Sequence, residues 1–194
     1  NHGAIAGSYG RLCANGEEMK RIAAFVIASA LLCTSILCVR STAAGATGAQ
    51  SMICIENSTD RVLAEKNAHC KLPMASTTKV VTAITVIDHC DDLERVVTVP
   101  DAAVGVEGSS IYLEKGEKCK IIDLLYGLML QSGNDCAAEL AITIGGSIEK
   151  FADMMNDTAA KVGVTDSHFV TPHGLHHDEH YTTAYDLAKI TSYA

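Results

Sequence analysis

The sequence contains no tryptophan, only 3 prolines and 5% aromatic residues among its 194 positions. This composition excludes collagen-like, mucin-like and proline-rich disordered chains. Basic residues are also scarce, since 15 lysines and arginines stand against 23 acidic residues and no basic run occurs. Because phosphate contacts dominate affinity for nucleic acids, a net charge of −8 argues against a nucleic-acid partner. With 48% hydrophobic residues, the chain has the composition of a globular protein with a sizeable core.

The N-terminal region has the pattern of a secretory signal. Met19, Lys20 and Arg21 precede an almost unbroken apolar run at 22–39, and small residues follow at 41–46. A basic start, an apolar stretch and a small-residue segment are typical of a cleaved signal peptide. An uncleaved membrane helix is the alternative, because 18 apolar residues can just span a bilayer. We predict a signal peptide at residues 19–46 and export from the cytoplasm.

Residues 1–18 precede Met19, which has the character of a true initiator. The codons for Gly16, Glu17 and Glu18 are rich in purines, as a bacterial ribosome-binding site would be. We therefore interpret residues 1–18 as translated leader DNA. The chain from residue 44 onward holds 11 basic and 21 acidic residues, a net charge of −10.

The cysteines of this remaining chain do not form a recognisable framework. They are five in number, an odd count, with scattered spacings and no C-x-x-C: Cys54, Cys70, Cys90, Cys119 and Cys136. This pattern disfavours both a set of disulfides and a cysteine-rich zinc site. We expect them to be small, buried apolar residues.

Hydrophobic periodicity predicts strands first and then mostly helices, which argues for a helical cluster packed on a sheet, an α+β fold. The predicted strands are 51–55, 61–64, 96–99 and 110–113, and the predicted helices are 75–89, 121–130, 135–145, 148–162 and one that begins after Thr183. In the first helix Val80, Ala83, Ile84 and Ile87 recur at helical spacing. Ser147, Thr183 and Asp135 are predicted caps, Gly163 a helix stop, and 166–181 a loop.

Ser76 and Lys79 lie one turn apart near the start of the first predicted helix, and therefore on one face. A serine hydroxyl is a poor nucleophile until a base takes its proton. A lysine can be that base if burial lowers its pKa enough to leave the amine neutral. The pair is thus a candidate for nucleophilic catalysis.

An S-x-x-K pattern alone is weak, and Ser147 and Lys150 form a second one. There a helix cap explains Ser147, and Lys150 points away from the apolar face. Ser76 differs because Ser132-Gly133-Asn134, the only S-x-N in the chain, lies at a break between two apolar helices. Serine, glycine and asparagine are also ordinary turn residues, so an interhelical turn is the alternative.

Five segments in order extend this pattern: Pro73–Lys79, Gly108–Leu113, Leu128–Asp135, His173–Leu175 and His180–Ala188. Together they strongly resemble the serine D-alanyl-D-alanine carboxypeptidases, the low-molecular-weight penicillin-binding proteins. The resemblance covers residues 48–194. It implies the fold shared by β-lactamases and penicillin-binding transpeptidases, with a helical cluster packed on an antiparallel sheet.

The resemblance also implies roles for four residues. Ser76 would be the acylated nucleophile and Lys79 its base, while Ser132 would relay a proton to the leaving group and Asn134 would hydrogen-bond the substrate backbone. The implied substrate is a peptidoglycan stem peptide ending in D-Ala-D-Ala, and β-lactam antibiotics are implied ligands. Neither a metal nor an organic cofactor is implied.

One family motif, Lys-Thr-Gly on an edge strand, is absent from the sequence. We therefore interpret residues 47–194 as the N-terminal part of a catalytic domain whose C-terminal strands are missing. Apart from the signal segment, membrane association would then depend on a C-terminal anchor that is also missing. On its own this chain is expected to be inactive, with apolar faces of the hairpin and first helix only partly covered.

Three other functions stay open at this point. A serine β-lactamase would need a deacylating glutamate, and Glu179 is the lone glutamate in 165–181, without a Glu-x-x-Leu-Asn pattern. A zinc hydrolase is conceivable because His176, Glu179 and His180 fit H-x-x-E-H, although no helical apolar stripe runs through them. A non-catalytic secreted binding module is the third. His173, in the same loop, is more typical of a structural histidine than of a catalytic one.

Overall fold

A β-hairpin opens the part of the chain that the structure, a computed structural model, describes, residues 48–194. Strand β1 (Met52–Glu56) pairs antiparallel with strand β2 (Arg61–Lys66), and the register shifts at Cys54 and Ile55. The strands predicted at 51–55 and 61–64 are confirmed. The predicted leader at 1–18 and the predicted signal segment at 19–46 lie outside the described residues.

Within residues 48–194, five α-helices follow the hairpin: α1 (Thr78–His89), α2 (Ile121–Leu130), α3 (Asn134–Gly145), α4 (Ile148–Val162) and α5 (Ala184–Tyr193). The hydroxyl of Ser147 accepts a hydrogen bond from the backbone amide of Lys150, and that of Thr183 accepts one from Asp186. Both predicted N-caps are therefore confirmed. Gly163 ends α4 in the left-handed conformation, as predicted. None of these described helices has the length and apolar character to cross a membrane.

A second two-stranded sheet corrects the sequence prediction. Strand β3 (Val96–Thr98) pairs with strand β4 (Lys118–Lys120), whereas the predicted strand at 110–113 is an irregular loop. The amides of Ile111 and Leu113 donate to the Asp135 carboxylate instead of to a neighbouring strand. Asp135 itself lies in the first turn of α3, whose N-cap is Gly133, so its predicted capping role is wrong.

Helix α1 lies at the centre of the described fold, because α2, α3, α4 and α5 all pack against it, while α5 also packs on β1. The largest apolar side chains of the core are almost completely buried: Val81, Leu124, Leu140, Phe151, Met155 and Ile190. Burial of each stabilises the fold by about 1.5–3 kcal/mol. Helices clustered beside small antiparallel sheets form the predicted α+β class.

The buried side of α1 is more polar than its apolar periodicity suggests. Thr78, Thr82 and Thr85 are completely buried, and Thr85 donates a hydrogen bond of 3.1 Å to Thr158 of α4. Ile87 of the periodic apolar set is 55% exposed. Together with Val80, Ala83 and Ile84, Ile87 lines an open apolar groove of about 180 Å³. The three threonines thus share the completely buried side of α1 with Val81 and Val86, which places polar atoms inside the protein.

The five described cysteines are all free thiols. Cys136 is buried, as expected, but Cys54 and Cys70 are exposed, so the expectation of burial is wrong for these two. Cys54 lies on β1, which pairs with β2 along one edge and with no described strand along the other.

Glu139 is a completely buried carboxyl group in α3. Its Oε1 accepts from the Thr143 hydroxyl at 2.9 Å, and its Oε2 has no hydrogen-bond partner in the described structure. Burial raises the pKa of Glu139 above its ordinary value of 4.5. Because the folded-state pKa exceeds the unfolded one, this group contributes stability below the unfolded pKa, and that contribution is lost as the pH rises through the folded-state pKa.

We therefore expect Glu139→Gln to raise the free energy of unfolding at pH 8 by about 1–3 kcal/mol, because the amide stays neutral and avoids the cost of burying a charge. At pH 4 the gain should be much smaller, because the wild-type carboxyl is then protonated. Urea denaturation at both pH values measures the difference. Glu65→Gln, at an exposed glutamate, is the control and should show no such pH-dependent gain. Equal stability of Glu139→Gln and wild type at pH 8 would contradict the expectation.

Candidate active site

Ser76 and Lys79 face each other where the chain enters α1. Ser76 lies in a short 3₁₀ turn, Ala75–Thr77, and its hydroxyl is exposed, whereas Lys79 is 3% exposed in the first turn of α1. The Lys79 Nζ atom lies 3.0 Å from the Ser76 Oγ atom. Ala75 has a φ of 48°, a conformation that non-glycine residues seldom adopt outside tight turns or functional sites. An accessible hydroxyl thus lies directly above a buried amine.

Lys79 is surrounded by neutral oxygen atoms. Besides Ser76, its amine donates to Asn134 Oδ1 at 2.7 Å and to the backbone carbonyl of His173 at 3.0 Å. Burial lowers the pKa of Lys79 from its ordinary value, and the weaker effect of the Cys136 thiol acts in the opposite direction. Since no carboxylate of the described residues pairs with it, nothing offsets burial as an ion-pair partner would, and the balance shifts toward the neutral amine. A neutral amine at hydrogen-bond distance can accept the proton of the Ser76 hydroxyl.

Asn134, at the first position of α3, joins the lysine to the loop before Ser110. Its side-chain Nδ2 donates to the carbonyl of Glu107 at 2.5 Å, and its backbone amide donates to the carbonyl of Ser109 at 2.7 Å. Gly108 is required here, because a Cβ atom at that position would lie 2.6 Å from Asn134 Nδ2. One N–H of the amide stays available for a substrate.

Ser132 lies in the break between α2 and α3, half-buried, with a φ of 57°. The backbone amide of Gly133, which follows it, donates to the carbonyl of Gly127 and so fixes the break against the end of α2. The Ser132 side chain makes no hydrogen bond within residues 48–194. The structure thus brings Ser76, Lys79 and Asn134 into direct contact, while the relay role of Ser132 stays a prediction.

Asp135 is a structural residue of the site and not the helix cap that its position in the sequence predicts. Its carboxylate accepts from the Ser110 hydroxyl at 2.6 Å and from the amides of Ile111 and Leu113. Burial pushes the pKa of Asp135 upward, but these hydrogen bonds together outweigh it and hold the pKa below its usual value. Asn134 and Asp135 therefore hold the two ends of one loop, 107–113, beside the lysine.

The loop 166–181 closes the other side of the site. The Thr82 hydroxyl donates to the carbonyl of Pro172 at 2.6 Å. Gly174 has a φ of 85°, and a Cβ atom there would lie 1.9 Å from the carbonyl oxygen of Ala75. Only glycine allows this approach, which brings the loop onto the nucleophile turn. The sequence offered no signal for the carbonyl of His173 as a lysine partner, because a backbone atom leaves no trace in residue type.

The histidine side chains of this loop do not form the zinc site that H-x-x-E-H would require. His176 and Glu179 are exposed, whereas His180 is buried with both ring nitrogens hydrogen-bonded to protein atoms. Residues 48–194 contain no group of three or more His, Cys, Asp or Glu side chains placed to hold a metal ion. Burial above all, and then the neighbouring Lys79, lowers the pKa of His173 to about 4, so its ring is neutral at neutral pH.

Comparisons with known proteins agree with this geometry. The family model described as D-alanyl-D-alanine carboxypeptidase matches residues 39–194. The D-alanyl-D-alanine carboxypeptidase DacF of Bacillus subtilis is 35% identical over 144 residues, which are 72% of this chain and 37% of that protein. The chain therefore spans less than two fifths of the length of this relative.

Solved structures give the same picture. The D-alanyl-D-alanine carboxypeptidase DacD from Francisella tularensis superposes with a TM-score of 0.73 at 31% identity, over 76% of this chain and 37% of that one. Penicillin binding protein 6B from Escherichia coli superposes with a TM-score of 0.70 at 34% identity, over 74% of this chain and 48% of that one. With its family match over most of its length, its fold and its serine–lysine pair, the chain belongs to the D-alanyl-D-alanine carboxypeptidase family.

Proposed function

We propose that the protein carrying this chain is a serine D-Ala-D-Ala carboxypeptidase that removes the terminal D-alanine from peptidoglycan stem peptides. The observation that carries the proposal is the 3.0 Å contact between the exposed Ser76 hydroxyl and the buried Lys79 amine. Membership of the family supports this choice of reaction over the other serine-lysine chemistries.

In the proposed acylation step, the neutral Lys79 amine takes the proton of Ser76 Oγ as the oxygen attacks the carbonyl carbon of the penultimate D-alanine. The tetrahedral adduct then collapses, the C–N bond breaks, and the terminal D-alanine leaves as an amine. Its nitrogen receives a proton that originates on Lys79, and Ser132 is proposed as the relay. The remaining N–H of Asn134 binds a carbonyl of the substrate backbone.

In deacylation, water is the nucleophile and Ser76 Oγ is the leaving group. A water molecule attacks the ester carbonyl while Lys79 takes its proton, the bond to Ser76 Oγ breaks, and the serine oxygen recovers the proton. Penicillins present a strained amide at the same position, and opening the ring leaves the former leaving group tethered. A β-lactam should therefore stay attached to Ser76 as an ester.

The substrate lies outside the cytoplasmic membrane, so the proposed function requires export. We propose that residues 19–46 direct it, consistent with their basic start and apolar run. The mature protein should then begin shortly after residue 46, which N-terminal sequencing of the exported form would test. Attachment to the membrane after cleavage would need an anchor elsewhere in the protein.

The test of the function is release of D-alanine from diacetyl-L-Lys-D-Ala-D-Ala by the protein in its full natural length. We expect release of D-alanine with no added cofactor. A full-length protein that binds the peptide without releasing D-alanine would refute the proposal.

A further inference from the structure

His180 is a buried histidine with a defined tautomer. It is 3% exposed, its Nδ1 lies 2.9 Å from the amide nitrogen of Val170, and its Nε2 lies 2.9 Å from the Thr78 hydroxyl. An amide N–H can only donate, so Nδ1 must be the acceptor, and the ring proton sits on Nε2 and is donated to Thr78. Burial above all, and then the neighbouring His173, His168 and His177, lowers the pKa of His180 to about 4, which favours this neutral form.

The two hydrogen bonds of His180 join the two elements that surround Lys79. Thr78 is the first residue of α1 and the immediate neighbour of Lys79, whereas Val170 leads into the stretch that carries His173. The Phe169 ring packs edge-on against the histidine ring, with the centroids 5.9 Å apart. The His180 side chain thus ties the start of α1 to the loop segment 170–174, in addition to the hydrogen bond from Thr82 to the carbonyl of Pro172.

Lys79 depends on that distance. Its four-carbon stem is flexible, and its amine is directed toward Ser76 by the acceptors around it. One of them, the carbonyl of His173, belongs to the loop segment that His180 holds. If the segment moves away from α1, the amine loses an acceptor and is free to rotate away from the Ser76 hydroxyl.

We propose that His180 is a positioning residue for the base: it ties loop segment 170–174 to Thr78, so that the carbonyl of His173 keeps the Lys79 amine aligned with Ser76. The inference rests on the proposed function, because its effect is measured as acylation of Ser76. His180 need not touch the substrate, since it acts through the loop and the lysine.

Three variants of the full-length protein separate the hydrogen bonds from the volume of the ring. His180→Phe keeps an aromatic ring but removes both hydrogen bonds, His180→Gln keeps a donor and an acceptor, and Thr78→Val removes the hydroxyl at nearly constant shape. We expect His180→Phe to lower the acylation rate constant for a fluorescent penicillin by about 10–100-fold, as for a misplaced catalytic group. Thr78→Val should also lower this rate constant, whereas His180→Gln should retain most of the wild-type rate.

The pH profile distinguishes positioning from a merely structural role. Without the carbonyl of His173, the Lys79 ammonium loses an acceptor, so the pKa of Lys79 falls and the acidic limb of the acylation profile moves to lower pH by about one unit. The titratable groups that act on Lys79, the Cys136 thiol and the His173 ring, are the same in every variant. A variant whose only defect is a smaller fraction of folded protein would acylate more slowly, but its acidic limb would stay at the wild-type pH.

His176→Phe, in the same loop but exposed to solvent, is the control and should acylate like the wild type. Folded His180→Phe and Thr78→Val proteins with the wild-type rate and the wild-type acidic limb would overturn the proposal. If His180→Phe does not fold, Thr78→Val decides by the same two readouts. A wild-type protein that is not acylated at all would instead refute the proposed function.

Discussion

Ser76→Ala should abolish covalent labelling of the full-length protein by a fluorescent penicillin. The exposed Ser76 hydroxyl contacts the buried Lys79 amine, so the substitution removes the nucleophile and leaves the packed side of α1 unchanged. Stability should therefore stay close to wild type while the labelled band on a denaturing gel disappears. Labelling at saturating penicillin, together with a thermal melt, measures both effects.

The second S-x-x-K pattern provides a matched control. Ser147 caps α4 by accepting the amide of Lys150, so Ser147→Ala should cost about 0.5–2 kcal/mol of stability without affecting labelling. Labelling that persists in Ser76→Ala and disappears in Ser147→Ala would reverse the assignment of the nucleophile.

Lys79→Arg should lower the rate of acylation by several orders of magnitude, a loss of the size seen when a catalytic base is removed. The substitution keeps a long side chain with nitrogen donors at its end, but a guanidinium stays protonated at any working pH and cannot take the serine proton. Its planar group also fits poorly where Ser76, Asn134 and the carbonyl of His173 now surround one amine. Stopped-flow measurement of penicillin acylation against pH gives the loss of rate and shows whether the acidic limb that Lys79 sets is still present.

Lys150→Arg is the corresponding control, since Lys150 is exposed and follows a capping serine. Its acylation rate should equal that of the wild type. If Lys79→Arg acylates at a near wild-type rate, another group is the base and the proposed mechanism is wrong.

The order and type of the helices could be predicted from the sequence because each carries a local signal. Ser147, Gly163 and Thr183 mark helix ends through hydrogen bonds and backbone conformations that involve only nearby residues. The spacing of Ser76 and Lys79 likewise predicts their contact, because residues three apart on a helix share a face.

Contacts between distant segments were not predictable in the same way. The loop at 110–113 has the apolar character of a strand. Its backbone amides nevertheless donate hydrogen bonds to the carboxylate of Asp135, more than twenty residues later in the chain. On α1 the periodic apolar set includes Ile87, which is exposed, whereas Thr82 and Thr85, outside that set, are buried and bond to the loop and to α4. Periodicity reports an apolar face and not which face the rest of the chain covers.

The same distinction between local signals and contacts of distant segments applies to the candidate site. Spacing pointed to Ser76 and Lys79, and the family resemblance pointed to Asn134; the structure brings both partners onto the Lys79 amine. The third partner of Lys79 is a backbone carbonyl 94 residues away, and its position depends on the glycine conformation at Gly174. No residue pattern encodes such a contact, because any residue at position 173 would supply the same atom.

The most direct test of the account is to locate the acyl group after reaction with penicillin. The full-length protein is incubated with benzylpenicillin, denatured and digested with trypsin, which cuts after Lys71 and Lys79 and releases the peptide 72–79. We predict that tandem mass spectrometry finds one penicilloyl group, on Ser76. A penicilloyl group on any other residue, or a folded protein that carries none, would contradict the account.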